Sequence, residues 1–158
     1  MSSVARTDWG AIALRGIAAG IAGGILIEAF LYVTAILPAH GTLAGQWTWI
    51  ASTVLGKAAF TMPSAWAIGL LLHVLVAIGW AVGYAYLDAT TPAIAARPAI
   101  SGVIYGIFVY VMMQIVLLGD NAFHWPTAVE FLDAVVAHAI FYGLPVALVV
   151  SSLRGASA

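Results

Sequence analysis

Four stretches of this chain, residues 11–37, 64–87, 98–119 and 128–152, each run for about 20 residues or more with almost no charged side chain. At about 1.5 Å per residue, a helix of that length crosses a hydrocarbon core of about 30 Å. A membrane-spanning barrel strand would alternate polar and apolar residues, and these stretches do not. Of the 158 residues, 64% are hydrophobic and 7% are charged, against about 25% charged in a soluble domain. The pattern predicts an all-α membrane protein. Its expected architecture is an up-down bundle of four transmembrane helices, with residues 1–158 as one domain and the lipid bilayer as its surroundings.

The first stretch is longer than the roughly 7–15 apolar residues of a cleaved signal peptide, and Arg15 interrupts its entry, so a retained helix is expected. The few basic residues orient the bundle. Arg6, Arg15, Arg97 and Arg154 fall at the N-terminus, the second connection and the C-terminus, whereas Lys57 falls on the opposite side. By the positive-inside rule both termini are cytoplasmic.

The chain has no cysteine, which removes disulfides, thiolate metal sites, iron–sulfur clusters and covalently attached c-type haem. A formal net charge of -1 gives no basis for nucleic-acid binding. Phosphate loops, dinucleotide fingerprints and HExxH are absent from the sequence. No nucleophile–base pair stands out, so an enzyme is the least supported class.

The connections are short except the first, residues 38–63. From His40 it reads HGTLAGQWTWIASTVLGKAAFTMP, and Trp47, Trp49, Ile50, Val54 and Lys57 predict a short amphipathic helix lying in the membrane interface. Trp47, Trp49 and Trp125 read as interfacial anchors. Glu130 and Asp133 read as a polar helix start near the outer surface, favoured by the helix N-terminus.

A repeat runs through the apolar stretches. GIAGGILIEAFLY (20–32) matches GVIYGIFVYVMMQ (102–114) in the glycines at the first and fifth positions, and Arg15 and Arg97 each lie five residues upstream. Glu28 then aligns with Tyr110, and Tyr32 with Gln114. His73 and His138 fall about ten residues into the second and fourth stretches. These matches predict a duplicated two-helix hairpin, its halves related by an axis along the membrane normal. Residues four apart lie nearly in line on a helix. Gly20, Gly24, Glu28 and Tyr32 thus form one stripe, and Gly102, Gly106, Tyr110 and Gln114 form its counterpart. The glycines read as close-packing positions between helices.

Glu28 needs a further reason. A charge near the bilayer centre costs on the order of 3 kcal/mol on insertion scales, so it should face the bundle interior and have a partner. Counting helical rise from the outer boundary puts both Glu28 and Tyr110 about 13 Å deep. His73 and His138, on helices descending from the same face, reach the same level. Glu28, His73, Tyr110 and His138 therefore form one expected polar layer, with Tyr32, Gln114 and Tyr142 in support. The stripes His73–Ala77–Trp80–Tyr84 and Phe131–Ala134–His138–Tyr142 turn the histidines towards aromatic, weakly polar faces.

HVLVAIGWAVGYAYL (73–87), the glycines of the third stretch and HAIFYGLPVALV (138–149) resemble a broad group of uncharacterised small bacterial four-helix inner-membrane proteins. In that group an intramembrane histidine begins a glycine-rich half-helix in the second and fourth segments. The resemblance covers roughly the last 90 residues. It implies the fold, a bacterial inner membrane and a role for His73 and His138, and it implies no activity.

Three functions fit these residues. His73 and His138 on diagonal helices can ligate a b-type haem axially, with the glycines leaving room for a flat macrocycle, or can join Glu28 around a transition metal such as zinc or copper. This haem or metal site is the leading expectation. Alternatively, Glu28 and histidine form the proton site of a proton-coupled small-solute or ion transporter or sensor. Thirdly, the layer locks the helices of a non-catalytic structural subunit. A second copy of the chain or another membrane subunit stays open as a partner.

Overall fold

The computed structural model describes residues 8–118 and 125–154. Among them every regular element is helical: α1 (Trp9–Leu31), α2 (Leu43–Leu55), α3 (Ala65–Thr90), a single turn α4 (Pro92–Ala95), α5 (Pro98–Leu117), α6 (Ala128–Val136) and α7 (Leu144–Ser152). α1 runs on as a π-helical turn over Tyr32–Ile36, and a π segment at Ala137–Gly143 joins α6 to α7. Four helical runs, Trp9–Ile36, Ala65–Thr90, Pro98–Leu117 and Ala128–Ser152, are long and apolar enough to cross a membrane. The chain is a multi-pass membrane protein whose described elements are all helical.

Local chemistry sets the element ends. The Asp8 side chain caps α1 by accepting from Ala11 N at 3.0 Å. α2 begins at Thr42, whose hydroxyl accepts from Gly45 N, and stops at Gly56, whose φ of 59° a side chain would resist. Pro98 opens α5 at a position whose N–H would be unpaired in any case. Thr127 and Glu130 close a reciprocal capping box on α6, as expected of an acidic helix start. Asp133 accepts from the Thr34 hydroxyl at 3.0 Å, so it ties α6 to the end of the first span. Pro145 has no N–H for the Phe141 carbonyl, and the wider π segment ends two residues before it, at Gly143.

α3 extends three residues beyond the expected boundary, to Thr90. This draws Asp88 out of the second connection and into the bundle. The third expected helix ends in the described residues at Leu117, and residue 119 lies outside them.

α1 lies between α3 and the fourth span, which packs in turn on α5. Small residues make these approaches possible. A Cβ at Gly20 would lie 2.6 Å from Ile78 Cα, and one at Gly102 would lie 2.6 Å from the Gly143 carbonyl oxygen. One at Gly106 would strike the His138 carbonyl, and one at Gly24 would come to 3.2 Å from Ala77 Cβ. All four predicted packing glycines thus sit at helix contacts, together with Gly16, Gly69 and Gly143. α3 and α5 meet through side chains: Trp80 packs edge-on against Tyr105 and Phe108, and Tyr105 donates to the Trp80 carbonyl at 2.7 Å. Leu14, Ile25, Ile104 and Leu132 are among the many large apolar side chains left on the outside, where lipid tails would solvate them.

α2 occurs where the amphipathic helix was expected. It packs against the start of α3, where a Cβ at Gly69 would collide with the Trp47 carbonyl oxygen.

Candidate functional site

Glycine at position 24 lets α3 come close enough for His73 to reach α1. His73 Nε2 lies 3.2 Å from the Gly24 carbonyl oxygen, and Nδ1 lies 3.4 Å from Glu28 Oε1. A carbonyl only accepts, so Nε2 carries a hydrogen. The Nδ1–Oε1 contact has room for one further proton. If it is on the ring, an imidazolium faces a carboxylate; if it is on the carboxyl, a neutral acid donates to a neutral ring. Either way the pair has no net charge. Removing that proton leaves a carboxylate facing a nitrogen lone pair.

The other carboxylate oxygen, Glu28 Oε2, is buried with no hydrogen-bond partner among the described residues. The indole nitrogen of Trp47 is likewise buried and unpaired, and Trp47 is close enough to act on the Glu28 carboxyl. Both border one cavity. Trp47 was read from the sequence as an interfacial anchor. Its place beside Glu28 depends on Gly69, and a tryptophan in an amphipathic pattern carries no signal for that contact.

His138 lies in the π segment, where its Nδ1 donates to the Ala134 carbonyl at 2.8 Å. In the neutral ring this leaves Nε2 as the acceptor. The Tyr110 ring packs 5.4 Å from His138 and edge-on against Phe131. Tyr142, fully inside the bundle, donates to the Ala77 carbonyl at 2.6 Å.

A cavity of about 470 Å³ is bordered by Glu28, His73, Tyr110, Gln114, His138 and Tyr142. The expected layer therefore surrounds one space, with Gln114 and Tyr142 as part of its wall. Tyr32 borders a second cavity of about 430 Å³ between α1, α2 and α3. Glu28, His73 and Ala77 border both cavities, so the carboxylate–imidazole pair forms part of the partition between them. The walls are otherwise mainly aliphatic, with Trp49, Ile50 and Val54 of α2 covering one cavity and Leu43 and Trp47 the other.

Glu28 and His73 pair, but the expected three-ligand set does not assemble. Among the described residues no three His, Cys, Asp or Glu side chains are grouped closely enough to hold a metal ion. The space beside Gly24 and Gly106, expected to accept a macrocycle, is taken by Ala77 and by the His138 backbone.

A second polar cluster lies at the far end of α3. Asp88 is wholly buried at its side chain, and Arg154 Nε approaches its Oδ2 to 3.3 Å. Arg154 also donates to the Ala95 carbonyl at 3.0 Å. Asp88 escaped the sequence reading because it sits at the rim of an apolar stretch, beside Thr and Pro residues that resemble a solvated turn.

No known protein family, curated protein or solved structure matches the chain.

Proposed function

We propose that the chain is a proton-linked membrane protein, a transporter or sensor for a small solute, built around the Glu28–His73 pair. One observation carries this reading. The Gly24 carbonyl calls for a hydrogen on His73 Nε2, which leaves Nδ1 facing Glu28 as the position that can take up and release one proton. The pair stands between two cavities, each large enough for a small molecule and open to either side of the same proton. Binding a cation, or a group that donates to the carboxylate, would release that proton, and its departure would restore it. The bacterial inner membrane, cytoplasmic termini and the likeness to small four-helix bacterial proteins belong to this proposal. So does descent from a duplicated hairpin, supported by the matched glycine contacts of α1 on α3 and of α5 on the fourth span.

The test uses protein labelled with ¹⁵N at histidine, in lipid nanodiscs. The His73 ring nitrogens should titrate together with a Glu28 carboxyl signal. Glu28→Gln keeps the size and hydrogen-bonding capacity of the side chain but cannot exchange the proton. It should leave the fold intact and uncouple the His73 titration. A His73 signal that is insensitive both to pH and to Glu28→Gln overturns the reading.

One observation favours a second reading, haem or metal ligation. His138 borders the cavity and has its Nδ1 held by a backbone carbonyl, which leaves Nε2 as the acceptor, the arrangement found in metal-bound imidazoles.

A further inference from the structure

The inner face of α3 carries His73, Ala77, Ala81, Tyr84 and Asp88 at helical spacing. Fifteen residues of rise separate His73 from Asp88, about 22 Å along the helix. Two carboxylate–base pairs therefore sit at the two ends of one buried face: Glu28 with His73, and Asp88 with Arg154. Three buried tyrosines, Tyr142, Tyr105 and Tyr84, lie along the core between them. Tyr142 borders the first cavity and places its hydroxyl on the Ala77 carbonyl. Tyr105 places its hydroxyl on the Trp80 carbonyl, one turn further along. The Tyr105 and Tyr84 rings meet edge-on at 5.1 Å, and Tyr84 lies four residues from Asp88.

The far end of this column is poorly satisfied for a structural contact. Asp88 Oδ1, Asp88 Oδ2 and Tyr84 Oη are all buried, and none has a hydrogen-bond partner among the described residues. The charged and polar groups facing them are Arg154 from the end of the fourth span, Arg15 from α1 and Ser101 from α5. Arg154 approaches without the alignment of a hydrogen bond, and its own hydrogen bond goes to Ala95. A latch for the end of the fourth span needs neither a tyrosine hydroxyl nor two unpaired carboxylate oxygens. Phenylalanine at 84 would pack as well. Buried oxygens of this kind are ordinarily satisfied by ordered water, and carboxylates within membrane helices are rare and include those of proton relays.

We propose that Tyr142, Tyr105, Tyr84 and Asp88 form a proton path joining the Glu28–His73 pair to the Asp88–Arg154 end of the bundle. It rests on the reading of Glu28–His73 as a proton-holding pair. Asp88 is the exchange group, next to Arg154, which is partly exposed and opens the path to the surface. Each tyrosine hydroxyl both donates and accepts. For transfer, the Tyr142 and Tyr105 hydroxyls turn their hydrogens from the Ala77 and Trp80 carbonyls towards ordered water that links to the next oxygen. Each takes a proton on a lone pair as it gives up its own, so no tyrosine remains ionised. A proton arriving at Asp88 is matched by one reaching the Glu28–His73 contact, and the column keeps its charge.

The test follows the Glu28 carboxyl infrared band after a rapid pH jump, in nanodiscs, with Glu28→Gln identifying the band. Tyr84→Phe and Asp88→Asn should slow the change several-fold while leaving its final amplitude as in the parent. Tyr86→Phe, which alters an exposed tyrosine of α3 outside the column, should change nothing. Should Asp88→Asn fail to fold with Arg154 unpaired, Tyr84→Phe decides, because it removes one oxygen and keeps the ring. Equal rates in parent, Tyr84→Phe and Asp88→Asn overturn the path and leave the proton pair standing. A parent protein with no Glu28-dependent band change at any pH overturns the path and the pair together.

Discussion

Gly24 serves the site twice, as a position without a side chain and as a carbonyl without a donor. The first lets the His73 ring approach α1, and the second fixes which ring nitrogen must bear a hydrogen. Depth counting from the sequence could bring Glu28 and His73 to one level, because helical rise is constant. It could not give the proton count, which depends on a backbone oxygen that every residue possesses. His138 was placed at the same level by the same counting, but its π segment and its bond to Ala134 were not legible, since Pro145 announces only that the ladder must change nearby. The haem and metal reading is decided at this residue. If His138 Nε2 binds haem, the protein purified from cells should show a Soret band, and His138→Ala should remove it. A metal without haem would give no such band, but elemental analysis would find an ion that His138→Ala loses. A colourless, metal-free preparation ends that reading.

The elements were largely legible, because long apolar runs and caps such as Thr127–Glu130 are local signals. The contacts between elements were legible only in part. Gly20, Gly24, Gly102 and Gly106 stood out through their four-residue spacing, whereas Gly69 stood alone and gave no hint that α2 would cross α3 there. Spacing also cannot tell a packed glycine from a lipid-facing one. Gly79 lies in the same apolar α3 run, yet a Cβ there would meet nothing within 4 Å. The two kinds should separate cleanly in thermal unfolding in detergent. Gly106→Ala drives a methyl into the His138 carbonyl and should destabilise by about 1–3 kcal/mol. Gly79→Ala meets no neighbour and should be neutral or stabilising by up to about 1 kcal/mol, through helix propensity alone. A Gly106→Ala variant as stable as its parent would mean that the fourth span does not pack on α5 at this point.

At the scale of the whole molecule, the two carboxylate–base pairs lie at two levels of a largely apolar bundle. Arg154 bonds the Ala95 carbonyl, so the end of the fourth span and the α3–α5 connection lie at the same end of the molecule. Gly16, next to Arg15, packs against Val82 near the same end of α3, which brings the entry of α1 to that end too. Lys57 lies in the turn after α2, near the start of α3 and thus at the opposite end. The basic residues were countable in the sequence; the contacts that gather three of the four arginines at one end were not, and Arg6 lies outside the described residues. The positive-inside rule would place the arginine end on the cytoplasmic side. Asp88 would then exchange protons with the cytoplasm, while α2 and its two cavities face outward. Reporter fusions at Thr91 and Ala158 should accordingly score as cytoplasmic, and fusions at Ala44 and Asn121 as external. An external signal at Thr91 together with a cytoplasmic one at Ala44 would invert the molecule. The proton path would survive that inversion, but its Asp88 end would open to the outside.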